Sequence, residues 1–200
     1  MANKIEICVI DDDARMRASM CSLIQSAGYT PRCYASASRF LEDFDLAACA
    51  IVDLYMPDMG GLELQQALKH RNIDLPIIFV SGHGDVPSAV QALLAGAVDF
   101  IEKPFTAVTI LNCIGRALKG GQHSSEKSAN VNGARTVLAL LTPREQSVMN
   151  LIVNGCSTKI AAYQLGISPR TVELYRARIM DKTRARNITD VVRLVMTAGG

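Results

Sequence analysis

Along the N-terminal half of the chain, short uninterrupted apolar runs alternate with longer stretches of helical periodicity. Residues 5–10, 50–54, 77–81 and 98–101 read as strands, with a weaker candidate at 32–34. Their apolar residues do not alternate with polar ones, as expected of strands buried on both faces of a parallel sheet. Between them, apolar spacing predicts helices over 14–27, 36–44, 62–71, 86–96 and 106–118, with Gly28 and Gly96 as stops. Five such strand–helix units imply an α/β fold with a five-stranded, doubly wound parallel sheet. Functional groups then belong at the carboxyl ends of the strands.

Past this region the pattern changes. Residues 120–137, which include Gly120-Gly121-Gln122-His123-Ser124-Ser125 and Asn130-Val131-Asn132-Gly133, are small and polar and read as a flexible linker. This predicts one domain over 1–119 and a second, all-α domain over 138–200. Thr142-Pro143-Arg144-Glu145 is a capping box with proline at the first helical position, opening a helix that Gly155 ends. Ser157 can cap a second helix reaching Leu165. Gly166-Ile167 turns the chain, and Ser168-Pro169 opens a third helix to about Lys182. A final apolar helix runs from Asn187-Ile188-Thr189-Asp190 to about Met196. Helix, short glycine turn and helix form the helix-turn-helix pattern.

Charge sharpens this division. Residues 1–118 hold 9 Lys/Arg and 14 Asp/Glu, a net of −5, whereas residues 119–200 hold 12 and 5, a net of +7. The basic half suits a polyanion. No apolar run approaches the roughly 18–20 residues of a membrane span, so no membrane partner is expected. The cysteines 8, 21, 33, 49, 113 and 156 show no metal-ligand spacing. They read as small buried hydrophobes in a reducing cytoplasm, not as a disulfide frame.

The strand ends carry chemistry. Asp11-Asp12-Asp13 follows the first strand, Asp53 the third, Ser81 the fourth, and Lys103 the fifth. A parallel sheet brings these ends to one edge. Crowded carboxylates repel unless a hard cation joins them, and magnesium takes such oxygen ligands together with a phosphate. Asp13, next to the first helix, reads more simply as its N-cap.

These residues also carry a resemblance. Val9-Ile10-Asp11-Asp12-Asp13, Asp53-Leu54-Tyr55-Met56-Pro57-Asp58-Met59-Gly60-Gly61, Val80-Ser81-Gly82 and Gly96-Ala97-Val98-Asp99-Phe100-Ile101-Glu102-Lys103-Pro104-Phe105 resemble the flavodoxin-like receiver domain of two-component response regulators. The resemblance implies that Asp53 accepts a phosphoryl group from a sensor histidine kinase. It also implies that Asp11, Asp12, Asp53 and the backbone carbonyl of Tyr55 hold Mg²⁺, and that Lys103 pairs with the phosphoryl group across a cis bond to Pro104. Ser81 and Phe100 would act as switch residues, and the surface around 86–101, with Val90, Leu94 and Val98, would form a dimer interface. Plain core packing is the alternative for Phe100 and for those three residues.

Leu141-Thr142-Pro143-Arg144-Glu145, Gly155-Cys156-Ser157-Thr158-Lys159-Ile160-Ala161, Leu165-Gly166-Ile167-Ser168, Thr171-Val172 and Ile179-Met180-Asp181-Lys182 resemble the DNA-binding domain of the LuxR class. The pair of domains matches the FixJ/NarL family, leaning towards the FixJ-like members. In the third helix, Val172, Tyr175 and Ile179 should face the core. Arg170, Thr171, Glu173, Leu174, Ala177 and Arg178 then face outward, where a recognition helix reads base edges in promoter DNA. Lys159, Arg176, Lys182, Arg184 and Arg186 suit phosphates. Tyr175 stands where His is common in the class, and Thr183 where an apolar residue is usual.

The reading is therefore a cytoplasmic transcription factor, not a multiple-turnover enzyme. Phosphorylation would drive homodimerisation, and activation through RNA polymerase is the family's usual output. The alternative is a DNA-binding protein whose receiver acts as a phosphorylation-independent dimerisation or partner module. A phosphohydrolase is disfavoured, because Asp11-Asp12-Asp13-Ala14-Arg15 lacks the last element of that class's DxDx[TV] motif.

Overall fold

A computed structural model describes residues 5–43, 47–82, 86–119 and 127–199. Strands β1 (Glu6–Ile10), β2 (Thr30–Tyr34), β3 (Cys49–Asp53), β4 (Ile77–Ser81) and β5 (Asp99–Glu102) form one parallel sheet in the order β2-β1-β3-β4-β5. Helices α1 (Ala14–Ser26), α2 (Ala37–Asp43), α3 (Gly61–His70), α4 (Val86–Leu94) and α5 (Ala107–Lys119) alternate with the strands. The expected doubly wound sheet is present.

Alternate residues of each strand serve opposite faces. Ile7, Val9, Cys49, Ile51, Ile78, Val80 and Ile101 meet Met20 and Ile24 of α1 and Ile110, Cys113 and Ile114 of α5. Their neighbours Cys8, Ile10, Ala50, Val52, Ile77, Phe79 and Phe100 are buried as well. Burial on both faces explains the uninterrupted apolar runs.

The chain divides into two compact units. One carries the sheet with α1, α2, α3 and α5. The other carries α4 together with α6 (Lys127–Leu138), α7 (Pro143–Val153), α8 (Thr158–Leu165), α9 (Pro169–Thr183) and α10 (Ile188–Gly199). In this second unit Val90 and Leu93 of α4 are buried in a cluster with Val192. The larger core is built on Val148, Ile152, Ala161, Val172, Ile179 and Val191.

Two expectations are corrected. Residues 127–137, read as part of a flexible linker, are helical as α6. Ala134 is buried, Val137 and Leu138 are half-buried on the same face, and Arg135 Nε donates to Ala198 O at 3.0 Å, so packing against α10 overrides the polar composition. Residues 120–126 of that stretch lie outside the described residues. The second correction concerns the cysteines, because Cys21 of α1 and Cys33 of β2 are paired as a disulfide. A helix followed by the next strand of its own βαβ unit brings together residues whose linear spacing shows no pairing. Cys8, Cys49 and Cys113 are buried thiols, as expected, whereas Cys156 is only half-buried.

One glycine is fixed by a close approach. A Cβ on Gly61 would lie 2.6 Å from Asp53 O and 2.8 Å from Phe79 Cε1, and Gly61 N–H donates to Leu54 O at 2.9 Å. Helix α3 therefore starts in contact with the end of β3. Gly61→Ala is expected to destabilise the sheet-bearing unit by about 1–3 kcal/mol through overpacking, read by denaturant unfolding.

Candidate functional site

The carboxyl ends of β1, β3, β4 and β5 converge on one edge of the sheet. Asp11 and Asp53 are buried and Asp12 is exposed, and their carboxylate oxygens lie within 4.8 Å of one another. Lys103 Nζ donates to Asp11 Oδ2 and Asp53 Oδ1, each at 3.1 Å. The peptide bond between Lys103 and Pro104 is cis. Ser81 is buried at the end of β4, Phe100 is buried on β5, and the Tyr55 side chain is half-exposed just beyond β3. Asp13 is the N-cap of α1, accepting from Arg15 N–H at 2.8 Å, and its backbone hydrogen bonds hold its pKa below the ordinary value.

Burial pushes the Asp53 carboxyl up. Lys103 opposes that rise, while Asp11 and Asp12 add to it. Burial also works against the Lys103 ammonium, but its bonds and charge pairing with Asp53 and Asp11 outweigh this and raise its pKa. The ionised form of Asp53 is therefore held at a cost, with the Lys103 ammonium beside it. The donors of the site are all hard oxygens. Magnesium takes oxygen ligands of this kind. Asp11, Asp12 and Asp53 can hold a divalent cation.

A residue that sequence reasoning passed over supports this loop. Arg17 Nη1 donates to Asp11 O at 2.6 Å and to Asp12 O at 3.2 Å. An arginine one turn into the helix after an acidic loop is the signal that could have revealed it.

In the helical unit, Ser157 and Ser168 cap α8 and α9, and Gly166 makes the left-handed turn between them (φ 65°). Val172 and Ile179 are buried and Tyr175 packs beside them, as the spacing predicts. Arg170, Glu173, Leu174, Ala177 and Arg178 are exposed on α9, as is Lys159 on α8, while Thr171 is half-buried with its hydroxyl on Ser168 Oγ. Arg178 lies over the Tyr175 ring, 5.9 Å from its centroid. Helix α9 runs to Thr183, whose hydroxyl donates to Ile179 O, and Arg184 ends it in a left-handed conformation.

Three residues expected to meet DNA are engaged inside the domain instead. Lys182 Nζ donates to Glu145 Oε2 at 2.7 Å, and Glu145 is buried, with Oε2 also accepting from Thr142 N–H at 2.7 Å. Arg176 Nη1 donates to Glu173 Oε1 at 2.8 Å, and Thr158 Oγ1 donates to the same oxygen at 2.7 Å. The buried Glu145 of α7 decides the partner of Lys182, and i,i+3 spacing along α9 that of Arg176, neither of which the count of basic residues reveals. At the expected dimer surface, Val90 is buried and Val98 is half-buried against the sheet core, whereas Leu94 is 56% exposed.

Comparisons with known proteins decide the family. Residues 7–115 match the response regulator receiver domain, and residues 139–195 match the luxR family of bacterial regulatory proteins. The chain belongs to the FixJ-like response regulators. Over its whole length, this response regulator is 39% identical to the transcriptional regulatory protein FixJ of Bradyrhizobium diazoefficiens, covering 98% of that protein. It is 40% identical to the response regulator protein TodT of Pseudomonas putida F1, with 94% of this chain and 84% of TodT covered. Full-length FixJ from B. japonicum superimposes with a TM-score of 0.56 at 39% identity, covering 98% of each chain. The response regulator is thus a DNA-binding protein of a two-component system, with a histidine kinase as partner. Among the described residues, no helix is long and apolar enough to cross a membrane.

Two stability predictions follow from these electrostatics. A carboxyl whose folded pKa is raised costs stability wherever it is ionised, and the cost disappears on protonation. Asp53→Asn is therefore expected to melt a few degrees higher than wild type at pH 7 without divalent ions, with the difference shrinking in acid, by thermal unfolding. Glu145 behaves oppositely. Its hydrogen bond to Lys182 holds its pKa below the ordinary value of 4.5, so its contribution is present above that value and is lost as pH falls through the folded one. Glu145→Gln should lose about 2 kcal/mol at pH 7. The gap should close in acid, as read by denaturant unfolding across pH.

Proposed function

We propose that this response regulator is a phosphorylation-controlled transcription factor, with a receiver over 1–119 and a DNA-binding domain over 138–200. The observation carrying the proposal is the buried Asp53 carboxylate, grouped with Asp11 and Asp12 and bonded to Lys103 at the sheet edge. Asp53 is the nucleophile: a carboxylate oxygen attacks the phosphorus of the kinase's phosphohistidine. The P–N bond breaks, the imidazole leaves with its electron pair, and an acyl phosphate remains on Asp53. Asp11, Asp12, Asp53 and the Tyr55 carbonyl hold Mg²⁺, which supplies charge neutralisation of the transferring phosphoryl group. Lys103, released from the carboxylates, pairs with a phosphoryl oxygen. The chain promotes gain and loss of its own phosphoryl group and turns over no other substrate.

Ser81 and Phe100 report the change. The Ser81 hydroxyl bonds the phosphoryl oxygen, and Phe100 turns into the space it leaves. Phosphorylation promotes homodimerisation: Leu94 on α4 already presents an exposed side chain, whereas Val90, packed with Val192, and Val98, packed on the sheet core, would have to be released to take part. The dimer places two copies of α9 on a two-fold related promoter site in the cytoplasm and activates RNA polymerase.

On α9, Arg170 and Arg178 suit guanine, Glu173 suits cytosine through its remaining oxygen, and Leu174 and Ala177 suit thymine methyl groups. Thr171 and Lys159 stand beside this surface and contact the backbone, as do Arg184 and Arg186.

The test is oligomeric state and operator binding of wild type and Asp53→Asn, with and without an acyl phosphate donor and Mg²⁺. Wild type alone should dimerise and bind tenfold or more tightly when donor and Mg²⁺ are both present, about the 1.4 kcal/mol that separates a decade in affinity. Equal dimerisation and binding in every condition would reject the switch and leave the receiver as a phosphorylation-independent module.

A further inference from the structure

Asp11 and Asp12 stand in the connection between β1 and α1, where the strand ladder has ended and the helix has not begun. Backbone groups in such a connection need partners from elsewhere. Arg17 provides them. One guanidinium nitrogen, Nη1, donates to Asp11 O at 2.6 Å and to Asp12 O at 3.2 Å, while the Arg17 backbone N–H donates to Asp13 O at 2.9 Å. Three consecutive carbonyls are thus held by one residue. From the other side, Asp11 N–H donates to Tyr34 O at 3.2 Å, and Asp11 Oδ1 accepts from Asp13 N–H at 2.8 Å.

We propose that Arg17 is a positioning residue for the divalent cation, fixing the backbone from which the Asp11 and Asp12 carboxylates reach it. The inference rests on the reading of the acidic cluster as a Mg²⁺ site. Holding the carbonyls of 11 and 12 fixes the peptide planes at both residues, and hence the directions in which the two side chains leave the backbone. Without the clamp, the exposed Asp12 has little else to orient it, and ordering it becomes a cost of binding the ion.

A competing effect has the opposite sign. A guanidinium beside a dication site repels the ion, so loss of charge alone would tighten binding. Two substitutions separate the effects. Arg17→Met removes both charge and clamp. Arg17→Lys keeps the charge, but its ammonium lies one bond short of the position of Nη1 and lacks the planar fork. If positioning dominates, both variants bind Mg²⁺ more weakly. If charge dominates, the lysine variant matches wild type and the methionine variant binds more tightly.

The experiment is calorimetric titration of the full-length protein with Mg²⁺, with thermal unfolding in chelator and phosphorylation by an acyl phosphate at varied Mg²⁺ alongside. Both variants are expected to bind Mg²⁺ about 10-fold more weakly, the low end of what outer-shell partners of metal ligands contribute. The Mg²⁺ concentration for half-maximal phosphorylation should rise by the same factor, with the rate at saturation kept. Wild-type affinity in Arg17→Lys, or tighter binding in Arg17→Met, overturns the inference. So does a lower melting temperature with unchanged Mg²⁺ affinity, which would make Arg17 a support of the fold alone. Wild type that binds no Mg²⁺ overturns the metal reading itself, and the inference with it.

Discussion

Three carboxylates crowd the carboxyl edge of the sheet around one ammonium. Asp11 and Asp53 are buried there and Lys103 bridges them. Left alone, such a cluster opposes folding, because burial and mutual repulsion both penalise the ionised form of Asp53. The fold tolerates it because Lys103 returns part of that cost, and because the rest of the sheet is buried on both faces. The same imbalance gives the site its chemistry. A cluster of oxygen donors short of positive charge is suited to a divalent cation.

Parallel topology is what turns distant residues into one site. Asp11, Asp53, Ser81 and Lys103 each lie at or just beyond a strand end, and the order β2-β1-β3-β4-β5 sets β1, β3 and β4 side by side with β5 next to them. The approach of α3 to β3 at Gly61 belongs to the same constraint, since a larger residue would press on the carbonyl of Asp53 itself.

The legible part of this protein is the part dictated by local pattern. Strands buried on both faces leave continuous apolar runs, and Thr142-Pro143-Arg144-Glu145, Ser157 and Ser168 mark helix starts by their own capping bonds. What escaped the pattern depends on packing between distant segments. Helix α6 is polar over most of its length, and its few apolar positions gain meaning only against α10. Cys21 and Cys33 pair because a helix lies over its neighbouring strand. Arg17 carries no signal in the local apolar pattern, because its partners are backbone carbonyls five and six positions earlier, in the loop before its helix.

The basic domain shows the same lesson in its charges. Residues 142–200 carry 9 Lys/Arg and 4 Asp/Glu, which on composition alone suggests a surface made for phosphates. Several of those cations are committed within the domain: Lys182 to Glu145, Arg176 to Glu173, Arg193 to Asp190, and Arg144 to the Leu165 carbonyl. The Lys182 bond ties the last turn of α9 to the first turn of α7, and Thr158 ties the start of α8 to the middle of α9. A recognition helix reads bases only as accurately as it is held, because a bidentate contact depends on the angle of the fork as well as its distance. The Lys182–Glu145 and Thr158–Glu173 bonds therefore brace α9 against α7 and α8. The exposed Arg170 and Arg178, with Leu174 and Ala177 between them, are the side chains that the proposed function assigns to bases.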